Sequence, residues 1–199
     1  MKITLATHND GKLMEFSELL PDYELVSLTS FDFALPEETG TTYEENALIK
    51  ARAAREAIGG VVLADDSGLS IDCLDGAPGL YSSRFAGIEA DYDDKIEAIW
   101  HLLDGFPPEQ WTASFFCVLA LILSDGETRT FEGRVDGLIL PEKRGTNGFG
   151  FDPIFYVPHL GKTTAELSHQ DKNAISHRGL AVQKLRRFLQ ELKGPRKDA

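Results

Sequence analysis

Lys2–Leu20 reads KITLATHNDGKLMEFSELL. Lys2–Thr7 has the composition of a strand, and Leu13, Phe16 and Leu20 then recur at helical spacing. The polar turn His8-Asn9-Asp10-Gly11 joins the two, so the chain opens as strand–turn–helix. Working outward, Tyr23–Leu28 suits a second strand, and Phe33–Thr41, with Pro36 and Gly40 as breakers, is irregular and acidic. A helix follows, with a capping box at Thr42 and Glu45, an inward face of Ala47, Leu48, Ala51, Ala54 and Ile58, and Gly59-Gly60 as its stop. Val61–Ala64 is a short buried-type strand that ends at Asp65-Asp66-Ser67-Gly68.

Further along, Asp91–Leu103 carries Ile96, Ile99 and Leu103 on one helical face. Thr112–Leu123 and Thr128–Ile139 form a hairpin about Ser124-Asp125-Gly126-Glu127. A short strand falls near Ile154–Val157. A last helix begins near Ser176, with Ala181, Leu185, Phe188 and Leu192 inward and Gly194-Pro195 closing it. The whole is a mixed α/β protein, with the hairpin as the basis of a second lobe.

The 199 residues are 42% hydrophobic, enough for a real core. Against 20 Lys and Arg stand 32 Asp and Glu, a net charge of −12, which argues against a basic nucleic-acid-binding face. The longest apolar run, Phe115–Leu123, falls far short of the ~20 residues that span a bilayer. The polar start at MKITLATHNDGK does not read as a signal peptide. Cys73 and Cys117 are the only cysteines, too few for a cysteine zinc site, and they suit a reducing, cytoplasmic compartment.

Four segments have the chemistry of a site. The turn THNDGK offers backbone N–H groups at a helix N-terminus, side-chain donors at Thr7 and Asn9, and the charge of Lys12, which suits phosphate; it also suits a plain capped turn. Asp65 and Asp66 place two carboxylates side by side, a costly arrangement without a cation, and with phosphate nearby hard oxygen ligands point to Mg²⁺. Gly148-Phe149-Gly150-Phe151-Asp152 interleaves close-approach glycines with rings that could stack on a base or simply fill a core. Ile175-Ser176-His177-Arg178-Gly179 presents donors at another helix start, with Lys172 just upstream.

In chain order, THNDGK, ETG (from Glu38), ENALIKA (from Glu45), ADDSGL, GAPGLYSSRFAG, GFGFDPIF and ISHRG resemble the Ham1/RdgB family of inosine triphosphatases from residue 2 to 192. The resemblance implies a single domain over residues 1–199, built on an elongated mixed sheet with flanking helices and two lobes around a substrate cleft. It implies Mg²⁺-dependent hydrolysis of non-standard purine nucleoside triphosphates (ITP, dITP, XTP) to monophosphate and pyrophosphate, which keeps deaminated purines out of DNA and RNA. A homodimer is implied as well. Carried over by motif, the triphosphate would sit on Thr7, Asn9 and Lys12 with Lys50 as a further cation, and His8, Asp10 and Gly11 of the same turn bind substrate. Glu37 and Asp66 hold the metal, Asp66 is the base for the attacking water, and Ser67 touches substrate. Asp65 would orient that water or hold a second ion. Phe149 stacks on the purine, Asp152, Lys172, Ser176, His177 and Arg178 surround its edge, and Gly150 and Phe151 also bind substrate. The rival readings are a pyrophosphatase for other modified nucleotides and a nucleotide sensor that does not cut.

Overall fold

In a computed structural model, residues 1–87, 89–192 and 194 are described. Seven strands are formed: β1 (Lys2–Leu5), β2 (Glu24–Ser27), β3 (Val62–Ile71), β4 (Thr112–Ile122), β5 (Thr128–Ile139), β6 (Phe155–Val157) and β7 (Lys162–Thr163). They make one mixed sheet in the order β2-β1-β3-β4-β5-β6-β7. The helices are α1 (Asp10–Leu19), α2 (Tyr43–Ile58), α3 (Tyr92–Leu103), α4 (His169–Ile175) and α5 (His177–Leu192). The expected mixed α/β class is therefore the observed one. No helix among the described residues is long and apolar enough to cross a membrane.

The chain gathers into two compact units. The first comprises Met1–Asp66, Val118–Gly133 and the segment from His177; the second comprises Ser67–Cys117 and Arg134–Ser176. In the first, β1 runs parallel to both β2 and β3, with Leu5 opposite Ser27 and Leu63. Ala47, Ala51 and Ala54 of α2 pack on Val62 and Ala64 of β3 and on Ala120 and Ile122 of β4. Small residues on the helix let it lie close to the sheet. In the second unit, β5, β6 and β7 run antiparallel in succession. There Ile96, Ile99 and Leu103 of α3 pack with Leu69, Ile71, Phe115 and Phe155.

Several sequence expectations change. ADDSGL does not follow the end of a strand, because β3 runs unbroken through it to Ile71. Turn-forming residues keep extended backbone here because their carboxylates have cationic partners, described below. The last helix begins where expected, as α5 at His177, but a further short helix, α4, precedes it, the two parted at Ser176, which is extended at ψ 156°. Leu192 is 49% exposed and Phe188 half-buried, and the inward face runs Ala181, Val182, Leu185 and Leu189. Of its expected stop, Gly194 has positive φ, while Pro195 lies outside the described residues. On α1, Phe16 is buried and Leu20 caps the end, but Leu13 is only half-buried and the second buried residue is Glu15. At α2 the Thr42 hydroxyl accepts from Glu45 N, while the Glu45 carboxylate reaches Thr41 N at 2.6 Å and Thr41 Oγ1 at 2.9 Å. β7 and α4 are too short and polar to leave a periodic signal.

Candidate active site

The first unit gathers charge around β3. Successive strand residues face opposite sides of a sheet, and Asp65 and Asp66 accordingly meet different helices. Asp65 Oδ1 lies 2.8 Å from Lys12 Nζ of α1, and its Oδ2 lies 3.0 Å from Arg178 of α5. Arg178, only 2% exposed, also donates to the buried Glu15 carboxylate. On the side of α2, Lys50 Nζ lies 3.1 Å from Asp66 Oδ1 and 2.6 Å from Glu38 Oε1.

The two neighbours therefore titrate in opposite directions. Burial pushes the Asp65 carboxyl up, but Lys12, Arg178 and Lys50 outweigh it and hold the group well below the usual carboxylate range. For Asp66, burial dominates; Lys50 opposes it and Glu38 adds to it, so the carboxyl is raised. Burial lowers Lys50, but Asp66, Asp65 and Glu38 together carry it above its ordinary value. The cluster holds three cations (Lys12, Lys50, Arg178) against four carboxylates (Glu15, Glu38, Asp65, Asp66). Asp66 Oδ2 is buried with no hydrogen-bond partner. An orphaned acceptor of this kind costs about 1–3 kcal/mol in a fold.

The THNDGK turn is built as a helix entry. Asn9 caps α1 by accepting from Lys12 N at 3.0 Å, and Asn9 N donates to the buried Thr7 hydroxyl at 3.1 Å. His8 and Asp10 are exposed, and Gly11 and Lys12 half-buried. Asn46 of α2 accepts from Gly40 N at 2.8 Å and so ties the acidic loop to the helix that carries Lys50. Of the acidic pair, Glu37 is exposed, and it is Glu38 that reaches Lys50. A negative excess and an unpartnered buried oxygen suit a divalent cation at Asp66, which fits the expected Mg²⁺. No group of three or more His, Cys, Asp or Glu forms a ready metal cage among the described residues. Mg²⁺ does not need one, since it is commonly held by one or two carboxylates with water and substrate phosphate.

The second unit centres on Asp152, which is buried. Its Oδ2 accepts from Phe149 N at 2.8 Å and from Lys172 Nζ of α4, and its Oδ1 accepts from the Thr164 hydroxyl at 2.8 Å. Lys172 Nζ stands over the Phe149 ring, 5.1 Å from its centroid. Gly148 has φ +74°, and a Cβ there would come within 2.1 Å of Asp152 Oδ2, so only glycine allows the closure. Phe151 is buried edge-on to Tyr92 at 5.4 Å, and Gly150 lies against the same tyrosine. Ser176 N donates to the Lys172 carbonyl at 2.8 Å.

The sequence-predicted residues thus fall into two sets. Thr7–Lys12, Lys50 and Asp66 lie in the first unit, with His177 and Arg178, both buried. The half-buried Ser67, together with Phe149–Asp152, Lys172 and Ser176, lies in the second. The sequence reading puts Arg178 at a purine edge; in the structure its guanidinium holds Glu15 and Asp65. Glu15, Asn46 and Thr164 were not anticipated. For Glu15 a signal existed, since it adjoins Phe16 on the inward side of α1.

Adjacent strand carboxylates matched by helix-borne cations, on a mixed seven-stranded sheet, define a charge-handling α/β protein. More narrowly, the chain belongs to the Ham1 family, whose sequence model matches residues 3–188. It is 49% identical to the dITP/XTP pyrophosphatase of Bacillus subtilis over 189 residues, 94% of this chain and 96% of that one. It is 46% identical to the dITP/XTP pyrophosphatase of Thermoanaerobacter sp. over 95% of this chain and 96% of the relative. Among solved structures, a HAM1 protein from Coxiella burnetii superposes with a TM-score of 0.88 at 46% identity, covering 96% of this chain and 99% of that one.

Proposed function

We propose that this chain hydrolyses non-standard purine nucleoside triphosphates, with dITP and XTP foremost, to the monophosphate and pyrophosphate. The observation that carries the reading is the buried, unpartnered Oδ2 of Asp66 within a cluster of three cations and four carboxylates. The likeness to dITP/XTP pyrophosphatases over nearly the full chain supplies the substrate class.

In this reading Lys12 and Lys50 meet the phosphates, with Thr7, His8, Asn9, Asp10 and Gly11 forming the turn around them. Neutralising charge on the leaving group is the main aid to phosphoryl transfer. Asp66, a buried carboxylate with an unpartnered oxygen, is assigned as the base that takes a proton from the attacking water. Asp65 stays ionised and holds Lys12 and Arg178 in place. Asp66, with the Glu37-Glu38 segment, would hold the Mg²⁺. When bound, the ion withdraws charge from phosphate oxygens and lowers the pKa of bound water. Ser67 is assigned to the substrate. In the second unit, Phe149 supplies a stacking ring, Gly150 and Phe151 shape the loop behind it, and Asp152 fixes Lys172 beside it. His177 and Arg178 remain assigned to base selection. A homodimer in the cytoplasm completes the proposal.

Pyrophosphate release from a panel of nucleoside triphosphates, with and without Mg²⁺, tests it. Release from dITP, XTP and ITP far above that from ATP and GTP is expected, and only with Mg²⁺. Binding without release would make the chain a sensor, and preference for modified pyrimidines would move it to another substrate class. Light scattering tests the dimer.

A further inference from the structure

We infer that Thr164 is a positioning residue for base recognition, acting through Asp152 on Phe149 and Lys172. The inference rests on the functional reading above, because it gives the Phe149–Lys172 pair its purpose.

Asp152 serves several partners with one carboxylate, and its orientation decides whether they are all served. Oδ2 must face Phe149 N and Lys172 Nζ at once, in a space so tight that Gly148 can carry no side chain. What sets that orientation is the other oxygen. Thr164 Oγ1 donates to Oδ1 at 2.8 Å and stands 3.2 Å from the Asp152 carbonyl, while Ala165 N donates to the same carbonyl at 3.2 Å. Thr164 is itself buried and opens a short turn that is fixed from several sides. The Glu166 carboxylate reaches back to Thr163 N at 2.7 Å, Thr163 Oγ1 donates to the Arg144 carbonyl at 2.7 Å, and Asn147 N donates to the Ala165 carbonyl at 3.0 Å.

The hydroxyl is thus the link between a rigid turn and a carboxylate that places a ring and an ammonium group. Without it, nothing on the turn side selects which way the Asp152 carboxylate rotates. Lys172 remains attracted to either oxygen, but the Phe149 amide loses a fixed acceptor. The ring then samples more positions, so a purine is bound less tightly while the phosphate chemistry of the first unit is untouched.

The test uses Thr164→Val, which removes the hydroxyl at nearly constant shape, and Thr164→Ser, which keeps it. Two quantities are read on the full chain: hydrogen exchange of the Phe149 amide without substrate, and the steady-state constants for dITP. In Thr164→Val the amide should exchange about tenfold faster or more, as loss of a hydrogen bond to a charged acceptor allows. KM for dITP should rise severalfold with kcat little changed, and Thr164→Ser should restore both quantities. An unaltered Phe149 amide overturns the inference, as does a faster amide with unchanged KM, or a loss confined to kcat. If the wild type releases no pyrophosphate from any purine triphosphate, the functional reading fails instead. The amide measurement still decides whether Thr164 orients Asp152. Should Thr164→Val not fold, a Thr164→Ser variant with impaired KM is the overturning result.

Discussion

Asp65 and Asp66 are chemically identical neighbours with opposite energetic roles, and substitution should separate them. The folded Asp65 carboxyl lies below its unfolded value, so its stabilisation is present above about pH 4 and is lost as the pH falls further. Asp65→Asn should therefore cost about 3–5 kcal/mol at pH 7, the range for breaking a buried ion pair, and the deficit should narrow below about pH 4. Asp66 is raised, so its ionisation opposes folding once the pH passes its unfolded value. Asp66→Asn should leave stability at pH 7 unchanged or increased, since Lys50 keeps Glu38 at 2.6 Å, yet nearly abolish turnover. Urea unfolding in EDTA at pH 7 and pH 3, with dITP turnover beside it, checks both; a strongly destabilised Asp66→Asn would refute the contrast. The sequence displayed these two residues plainly. It did not show their partners, because Asp65 and Arg178 are 113 positions apart and only the fold brings them together.

At the scale of elements, β5 and α5 meet without a cushion. A Cβ on Gly133 would lie 2.0 Å from the His177 carbonyl oxygen and 2.7 Å from Ala181 N, both of them backbone. Gly133→Ala should lower stability by about 1–3 kcal/mol or more, as overpacking against unyielding atoms does. It should also lower turnover, because the first turn of α5 carries Arg178. Thermal unfolding and dITP hydrolysis test this, and a variant with wild-type values in both would show that the helix can shift freely. The long amphipathic elements were legible from spacing alone: α2, α3, β4 and β5 lie within a residue or so of expectation. The end of β3 was not, because Asp-Asp-Ser-Gly is turn chemistry locally and becomes strand only once distant cations neutralise it. β7 and α4 offer two and seven residues, too few for periodicity to register.

For the whole molecule, a metal requirement should touch activity and not architecture. Among the described residues there is no cage of three or more ligands, and both units have apolar cores of their own. EDTA should therefore abolish turnover while leaving the melting temperature within about a degree; a large fall would mean that binding of the ion is coupled to folding, as in structural metal sites. A last consequence follows from the path of the chain. The chain passes between units four times: inside three strands, after Asp66 in β3, after Cys117 in β4 and after Gly133 in β5, and once between helices, after Ser176. Most multi-part proteins are joined at linkers, where recombination can exchange one part as a cassette. Here each half is assembled from separated stretches of the gene, and three of the four junctions run through hydrogen-bonded strand backbone. Neither half is one contiguous stretch that could be exchanged as a cassette, so the residues of the two halves can diverge by substitution but not by shuffling.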